Sequence, residues 1–423
     1  MAQAPTQTGF YRQHVGNDHA LVCDGVPLAA IAAAVGTPLY VYSAAVVRER
    51  YGAIDAAFDG YPHTLHYALK ANSTLAIARL LRELGSAVDA NSVWEIAVAQ
   101  RAGFEPSQIV FTGVGKSPEE LERAVALGVK AINVESAGEL ARLEAIAARL
   151  GRVVRVAVRV NPDIDAKSHP HISTGLKINK FGVPLDDTRA LVGTLAHRPA
   201  LHLVAIHVHV GSQITSIDPL RRAAAVAADL TLELQRRGFA LEYVDLGGGL
   251  GVSYDGTDVP SAAEYVCALV GEVRRTSLPI VLEPGRAVAA PAGALIARVI
   301  DVKARTASSD FVIIDAGMTE LIRPALYNAF HRIEPVCGSA AGDHHYEIVG
   351  PVCESSDVVG RDRLLPALAA GDLVAIRDAG AYGSAMASNY NRRPLPAEVL
   401  VDGGAWRVIR RRQTVDDQLA LEE

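Results

Sequence analysis

Short apolar runs alternate with longer helical patterns between about Leu65 and Arg286. The runs are LHYALKA from Leu65, AVDANS from Ala87, IVFTG from Ile109, AINVES from Ala131, RVAVRVNP ending at Pro162, LVAIHVHVGS from Leu203, YVDLGGGLG from Tyr243 and IVLEPGR from Ile280. Runs of this length, bounded by turn signals, are typical of strands in a buried parallel sheet. They predict eight strands.

Helical patterns fill the intervals between these runs. In TLAIARLLRELG, four apolar residues from Leu75 to Leu84 share one predicted face and Gly85 is a stop signal. In SPEELERAVALG, Ser117 is placed to cap a helix whose first residue is Pro118. Eight strands alternating with helices predict an α/β fold, a (β/α)8 TIM barrel, with an open doubly wound sheet as the alternative.

Polar residues cluster where the predicted strands end. They are Lys70, Asp89, Glu135, Arg159, Asn161, His209, Ser212, Gly247 to Gly249, Glu283 and Arg286. Barrel enzymes place their chemistry at the carboxyl ends of many strands, whereas an open sheet concentrates it at one switch point. This distribution favours the barrel.

The pattern changes after about Pro291, where segments such as FVIIDAG and PAEVLVDGG alternate apolar and polar residues between turns. Period-two alternation predicts an antiparallel β domain, a small barrel or sandwich. The opening segments ALVCDGVPL and TPLYVYS are β-like and are expected to join it. We predict a barrel domain over residues 44–290 and a β domain built from residues 1–43 and 291–423.

Composition narrows the range of partners. The net charge of −6 gives no electrostatic reason to bind nucleic acid or an anionic membrane. The four cysteines show no CxxC spacing, which disfavours a zinc site or a disulfide framework. No signal peptide and no apolar run of the roughly 20 residues that span a bilayer are evident. We expect a cytoplasmic protein that binds a small molecule and no metal.

Three motifs are suited to an aromatic phosphate cofactor. Lys70 in YALKANS ends a strand, where desolvation would free its amine to form a Schiff base. In HVHVGSQ, His209 is placed to lie against a ring, while His207 is expected to be a buried histidine with its hydrogen bonds satisfied. Ser212 and the glycines of LGGGLG are suited to a phosphate, although one glycine-rich turn is weak evidence.

The motif EPGR carries the most specific chemistry. Glu283 ends a strand and its carboxylate is suited to a protonated pyridine nitrogen, which makes the ring an electron sink. Gly285 and the amide of Arg286 would complete a phosphate cradle, or the Arg286 guanidinium would bind a carboxylate. In the β domain, GPVCESSD places Cys353, Glu354 and Asp357 on one loop, where an exposed thiol is a plausible proton donor and a small buried hydrophobe is the alternative.

Together these motifs resemble those of the fold-type III PLP-dependent decarboxylases, most closely the diaminopimelate decarboxylase family. The resemblance runs from TPLYVYS to NYNRRP and also includes FTGVGKS, VRVNPDID, HISTGLKINKFG, DAGMTELIRPALYNAFH and DAGAYG, all in the family's order. The loop reads CESSD where CESGD is also common, and we expect the side chain of Ser356 to be tolerated.

The resemblance implies roles for individual residues. Lys70, His209 and Cys353 would be catalytic, as the Schiff-base lysine, the residue stacked on the ring and the proton donor. The cofactor pyridoxal 5′-phosphate (PLP) would be bound by Lys70, Asp89, His209, Ser212, Gly248, Gly249, Glu283, Gly285, Arg286 and Tyr382. The substrate would be bound by Arg286, Arg323, Tyr327, Glu354 and Tyr382. A homodimer is implied, in which Cys353 and Glu354 reach the partner's cofactor.

The predicted reaction is decarboxylation of meso-2,6-diaminopimelate to L-lysine and carbon dioxide, the last step of lysine biosynthesis. Arg323 is suited to a distal carboxylate, which ornithine and lysine lack. The alternatives are a decarboxylase of ornithine, lysine, arginine or a carrier-bound amino acid, an amino-acid racemase, and a non-catalytic relative. A racemase is expected to place an arginine where Glu283 stands, and a non-catalytic relative should have lost Lys70 or Cys353.

Overall fold

The computed structural model describes residues 8–15, 18–165, 175, 179–305 and 309–422. Its strands are β1 (Phe10–Val15), β2 (Asp18–Cys23), β3 (Val26–Pro27), β4 (Leu39–Ser43), β5 (His63–Ala68), β6 (Ala87–Ala90), β7 (Ile109–Phe111), β8 (Ala131–Val134), β9 (Val154–Asn161), β10 (Val183–Pro184), β11 (Leu201–Val208), β12 (Tyr243–Asp245), β13 (Ile280–Leu282), β14 (Gly293–Lys303), β15 (Asp310–Ile314), β16 (Ile333–Pro335), β17 (His344–Val349), β18 (Val358–Leu365), β19 (Leu373–Ile376), β20 (Ala397–Asp402) and β21 (Ala405–Arg410).

The α-helices are α1 (Leu28–Val35), α2 (Ala44–Ala56), α3 (Leu75–Glu83), α4 (Val93–Ala102), α5 (Pro118–Leu127), α6 (Ala137–Leu150), α7 (Leu185–Leu195), α8 (Ile217–Arg236), α9 (Ala262–Val273), α10 (Arg286–Ala289), α11 (Arg323–Tyr327) and α12 (Val415–Leu419). No helix in these described ranges combines the length and apolar character needed to cross a membrane. The chain divides into two compact units. A barrel unit comprises Arg50–Val252 and Asp258–Ala287, and a β unit comprises Met1–Glu49, Ser253–Thr257 and Val288–Glu423.

The barrel unit is a closed ring of parallel strands. Within the described ranges the order around the ring is β5, β6, β7, β8, β9, β11, β12 and β13. Two ladders close the ring, because β8 pairs with β9 and β13 pairs with β5, the latter with Leu282 opposite Leu65. The closure confirms the predicted (β/α)8 barrel and excludes the open sheet. All eight predicted runs contribute a strand, and the short β10 extends the sheet beside β9.

Local sequence signals set the bounds of the helices. In α5 the Ser117 hydroxyl accepts the Glu120 amide at 3.2 Å, and the Glu120 carboxylate accepts the Ser117 amide at 3.0 Å. Pro118 occupies the first position, and Gly128 ends the helix in the left-handed region at φ 73°. The predicted start and stop of this helix are confirmed.

The predicted buried face of α3 is only partly right. Leu75 and Leu84 are half-buried, whereas Ile77 and Leu80 are buried. The helix packs against α4, and a wider arc of its surface is buried than a single stripe predicts.

The β unit contains a mixed sheet, which corrects the prediction of an antiparallel domain. Its strand order is β18, β17, β15, β14, β4, β20 and β21, and β19 pairs with both β14 and β16. Two pairs, β4 with β20 and β15 with β17, are parallel. The opening segment joins this unit as predicted, because β4 is central in the sheet. Strands β1 to β3 form a separate antiparallel sheet whose Leu21 and Cys23 pack into the same apolar core as Leu39 and Val41.

Candidate active site

Lys70 lies immediately after β5, in a single 3-10 turn over Leu69–Ala71. Its Nζ donates to Oδ2 of Asp89 at 2.8 Å, and Asn91 Nδ2 lies 3.2 and 3.1 Å from the two oxygens of the same carboxylate. Asp89 is completely buried, but the Lys70 side chain is 32% exposed. Lys70 is therefore less desolvated than the sequence predicts, and a buried carboxylate holds it at the carboxyl end of the barrel.

His209 follows β11, and a hydrogen bond to one of its ring nitrogens orients the side chain. The Gly248 amide donates to His209 Nδ1 at 3.1 Å. Burial, with the positive charges of Lys70 and Arg159, holds the pKa of His209 well below its ordinary value. The imidazole is therefore neutral, and because Nδ1 accepts, its hydrogen lies on Nε2.

Glu283 follows β13 and is buried, with 3% of its surface exposed. Its Oε2 lies 3.5 Å from Nε2 of His207, and its Oε1 has no hydrogen-bond partner in the described part of the chain. Burial raises the pKa of Glu283, but His207, Lys70 and Arg159 together outweigh burial and the net direction of the pKa is downward. The carboxylate is thus kept ionised at the end of a barrel strand with one oxygen available.

His207 is fully buried, as the sequence predicts, but its hydrogen bonds are not satisfied. Neither ring nitrogen has a hydrogen-bond partner among the described residues, and its nearest acidic groups belong to Glu283 and Asp245. The expectation of a satisfied core histidine is wrong. The sequence did not show this because the nearby carboxylates belong to β12 and to the residue after β13, which are distant from His207 along the chain.

Glycines let the backbone approach closely beside these side chains. A Cβ on Gly248 would lie 2.3 Å from the carbonyl oxygen of Glu283, and a Cβ on Gly249, where φ is 122°, would lie 3.0 Å from the Gly211 carbonyl. Arg286 Nε donates to Ser212 Oγ at 3.1 Å. These groups bring amides, a hydroxyl and a guanidinium to the strand ends, which is a donor set suited to a phosphate.

Gly285 lies against the strand that leads to Lys70. A Cβ at Gly285 would lie 3.0 Å from Ala71 Cβ and 3.2 Å from Ala68 Cβ. The Ala68 amide also donates to the Pro284 carbonyl at 3.1 Å. EPGR and YALKANS, which are distant in sequence, are therefore adjacent.

Arg323 is buried in the β unit, where two aromatic side chains orient it. Its Nη1 lies 2.8 Å from Nε2 of His331, whose Nδ1 lies 2.8 Å from the Arg377 carbonyl. The guanidinium also stands over the Tyr254 ring at 4.7 Å. Because Nδ1 of His331 must donate to the carbonyl, its Nε2 accepts from Arg323. The imidazole of His331 and the ring of Tyr254 thus fix the orientation of this buried guanidinium.

Cys353 and Glu354 are exposed on the loop between β17 and β18, which excludes the reading of Cys353 as a buried hydrophobe. Asn391 Nδ2 lies 3.3 Å from Cys353 Sγ, and the Tyr390 hydroxyl donates to Glu354 Oε1 at 2.8 Å. Asp357 in the same motif is buried instead. The motif therefore contains two exposed candidate site residues, Cys353 and Glu354, and one buried residue, Asp357.

The two predicted tyrosines of the β unit are half-buried. Tyr327 ends α11, the helix that begins at Arg323. Tyr382 has φ 56°, in the left-handed region that non-glycine residues rarely adopt. Most of the predicted motif HISTGLKINKFG, residues 171–182, lies outside the described residues, so its role stays a prediction.

Comparisons with known proteins agree on one family. Residues 44–290 match the family model described as pyridoxal-dependent decarboxylase, pyridoxal binding domain. The chain is 44% identical over 405 residues to diaminopimelate decarboxylase of Pseudomonas aeruginosa, covering 96% of this chain and 97% of that protein. It is 45% identical over 407 residues to the Vibrio cholerae enzyme of the same name, covering 96% and 97%. The chain belongs to the diaminopimelate decarboxylase family.

Solved structures extend this agreement to the fold. Diaminopimelate decarboxylase of Helicobacter pylori, crystallised with L-lysine, superposes with a TM-score of 0.90 at 40% identity, covering 93% of this chain and 98% of that one. Membership of the diaminopimelate decarboxylase family confirms the resemblance, the predicted PLP cofactor and the carboxy-lyase class. It also argues against the racemase and the non-catalytic relative.

Each unit contains residues that the sequence analysis did not select. In the barrel unit, Asp245 and His207 lie close to Glu283; in the β unit, Tyr254 and His331 contact Arg323. The HxH spacing of HVHVGSQ was the available signal for His207, because alternate residues of a strand face the same side. The partners of Arg323 gave no such signal, since Tyr254 lies far from it along the chain.

Proposed function

We propose that this protein decarboxylates meso-2,6-diaminopimelate to L-lysine and carbon dioxide with PLP bound in the barrel. The observation that carries the proposal is Glu283, a buried carboxylate held ionised with one oxygen that lacks a hydrogen-bond partner among the described residues. Such a group fits a protonated pyridine nitrogen. The glycine backbone, Ser212 and Arg286 fit the phosphate of the same cofactor.

When bound, PLP supplies a conjugated ring that accepts the electron pair left behind as the carboxylate departs. Lys70 Nζ, which Asp89 positions through a 2.8 Å contact, would hold the cofactor through its aldehyde carbon. His209, a neutral imidazole that the Gly248 amide orients, would contact the cofactor's ring. Glu283 would hold a proton on the ring nitrogen. Gly249 and Gly285 leave room for backbone amides at the phosphate.

Substrate recognition uses Arg286 of the barrel unit and several residues of the β unit. Arg323 binds the distal carboxylate, since its guanidinium is buried, charged and preorganised by His331 and Tyr254. Tyr327, Tyr382 and Arg286 contact the rest of the substrate, and Glu354 binds the distal ammonium group. A pocket with both a cation and an anion for the distal end fits a substrate that carries both charges there.

Cys353 delivers the proton that completes the reaction. Its Sγ–H donates to the substrate carbon that has lost its carboxylate, and the Asn391 amide at 3.3 Å orients the sulfur. Both Cys353 and Glu354 are exposed in the single chain, which supports a homodimer in which they serve the partner's site. The cytoplasmic location inferred from composition stays a prediction.

The decisive assay measures carbon dioxide and L-lysine released from meso-diaminopimelate, with and without added PLP. Lys70→Ala should abolish both products and the visible absorbance of bound cofactor, because the covalent attachment is lost. Lys303→Ala, which changes an exposed lysine of the β unit, is the matched control and should behave as wild type. A Lys70→Ala protein that still released lysine would contradict the proposal.

The second candidate is decarboxylation of another amino acid, such as ornithine, lysine, arginine or a carrier-bound amino acid. Arg323, which His331 and Tyr254 orient, disfavours it, because ornithine and lysine carry no distal carboxylate that its guanidinium could bind. Turnover of ornithine faster than of meso-diaminopimelate would select this alternative.

A further inference from the structure

We propose that His207 is a positioning residue that, with Asp245, fixes the charge and orientation of Glu283 and so keeps the cofactor's ring nitrogen protonated. The inference rests on the proposed contact between Glu283 and that nitrogen. It assigns a function to a histidine that touches neither substrate nor cofactor and that was expected to be an ordinary core residue.

The barrel brings the three side chains together by strand register. His207 pairs with Asp245 across β11 and β12, and Asp245 pairs with Val281 across β12 and β13. Glu283 lies two residues beyond Val281, on the same side of its strand by alternation. One nitrogen or oxygen from each of the three residues lies within 4.8 Å of the others. His207 and Asp245 are fully buried.

Several polar atoms of this cluster of His207, Asp245 and Glu283 have no hydrogen bond. Both ring nitrogens of His207, Oδ2 of Asp245 and Oε1 of Glu283 have no partner within the described ranges, while Oδ1 of Asp245 accepts the Gly247 amide at 3.0 Å. Buried polar groups without hydrogen bonds are costly. A positive charge on the imidazole, 3.5 Å from the Glu283 carboxylate, would offset the buried negative charge of this cluster.

The surrounding charges assign that proton to His207. Burial lowers the pKa of His207, but Glu283 and Asp245 together outweigh burial and raise it, while Arg159 opposes them. Burial and the nearby Glu283 raise the pKa of Asp245. The other charged groups that act on the cluster are Lys70, which favours ionised Glu283, and Asp89, which disfavours ionised Asp245. The cluster is therefore an imidazolium, an ionised Glu283 and a protonated Asp245.

Removing the imidazolium should change Glu283 from an ionised carboxylate to a neutral carboxylic acid. Burial alone favours the neutral carboxylic acid, which cannot hold a proton on the ring nitrogen as an ion pair does. The ring would then accept electrons poorly. Asp245 differs, because a neutral asparagine imitates the protonated acid that is already there.

The test uses holoenzyme reconstituted with PLP labelled with ¹⁵N in its ring, whose chemical shift reports whether that nitrogen carries a proton. The control variant is His202→Gln, which changes an exposed histidine on the same strand. In wild type and in this control, the ring nitrogen of PLP should stay protonated over the accessible pH range. His207→Gln should lose the proton at neutral pH, and Asp245→Asn should keep it. Circular dichroism and melting temperature establish that each variant is folded.

A second readout is cofactor affinity measured with two ligands. His207→Gln should weaken PLP binding on the order of tenfold, as expected for coupled buried charges. The analogue 1-deaza-PLP, in which carbon replaces the ring nitrogen, should bind wild type and His207→Gln equally. An equal loss for both ligands would mean that His207 is merely structural and would overturn the inference.

Glu283→Gln separates the two proposals. If the ring nitrogen stays protonated in Glu283→Gln, the proposed role of Glu283 fails; if it loses its proton there but not in His207→Gln, only the inference about His207 fails. Should His207→Gln not fold, ¹⁵N-histidine labelling of wild type decides, because a neutral buried ring would refute the inference. One divalent ion per chain, absent from His207→Gln, would also refute it, since the cluster would then bind metal.

Discussion

At the scale of the residue, Cys353 is exposed and its sulfur is oriented by Asn391. Cys353→Ala should leave the cofactor bound and slow turnover by about 10²–10⁴-fold, because a positioned general acid contributes that much. Cys267→Ala, also exposed but in the barrel unit, is the matched control and should keep wild-type turnover. Steady-state assays at saturating substrate check both, and equal rates would remove Cys353 from the mechanism.

His331 carries a second prediction at this scale, since it holds Arg323 by a 2.8 Å contact. His331→Leu should raise KM for diaminopimelate roughly tenfold or more, as expected for loss of a hydrogen bond to a charged group, and change kcat little. Arg323→Ala should raise KM by roughly two orders of magnitude. His345→Leu at an exposed site is the control. An unchanged KM in both variants would make the pair structural.

The sequence predicted the individual strand-end residues better than their partners. Lys70, His209 and Glu283 follow apolar runs directly, so their positions at the strand ends could be inferred. The satisfied state of His207 was wrongly predicted, because hydrogen bonding inside a barrel depends on register between strands that are distant in sequence. Asp357 was grouped with Cys353 by proximity, but its side chain points into the protein.

At the scale of the element, Asp357 anchors the loop that carries Cys353. Its carboxylate accepts the Met318 amide at 2.6 Å and the Val352 amide at 2.7 Å. Two close glycines, Gly317 and Gly350, leave room for it, since a Cβ at either would lie 2.5 Å from Oδ1 of Asp357. The loop's shape therefore depends on a residue with no direct part in the reaction.

Asp357→Asn should lower both stability and turnover, because an amide retains only one accepting oxygen for two backbone donors. A buried unsatisfied amide costs about 1–3 kcal/mol. Melting temperature and kcat check the expectation, and Asp258→Asn at an exposed site of the barrel unit serves as the control. Wild-type kcat with a lowered melting temperature would show that the loop keeps its shape without this anchor.

At the scale of the whole molecule, acid should destabilise the protein through His66. This ring is fully buried and its Nε2 lies 3.1 Å from Lys130 Nζ. Burial, followed by the charge of Lys130, holds the pKa of His66 well below its ordinary value. The folded state therefore resists protonation that the unfolded chain accepts at about pH 6.5. The stabilisation is complete above that pH and is lost as pH falls.

Below about pH 6.5, the free energy of unfolding should fall by up to about 1.4 kcal/mol per pH unit for one such group. Melting temperatures of wild type and His66→Gln, compared from about pH 7.5 to about pH 5, should converge as the pH falls. Curves that stay parallel would show that another group governs acid sensitivity.

The predicted architecture was correct for the barrel and wrong in part for the β unit. The regular alternation of apolar runs with helical patterns predicted the barrel. Consecutive strands that pair in parallel need a long crossover connection, which is usually a helix. Alternation alone cannot distinguish a parallel from an antiparallel pair, so the parallel pairing of β4 with β20 was not foreseen.

That pairing has a consequence for the order in which the protein forms during synthesis. β4 comes near the beginning of the chain and β20 near its end, yet β4 lies between β14 and β20 in the finished sheet. The ribosome must therefore synthesise all the barrel strands from β5 to β13 before β4 acquires its second neighbour. Until then one edge of this apolar strand is unpaired and therefore prone to aggregate. We expect this edge to be the part of the nascent chain where a chaperone is most needed.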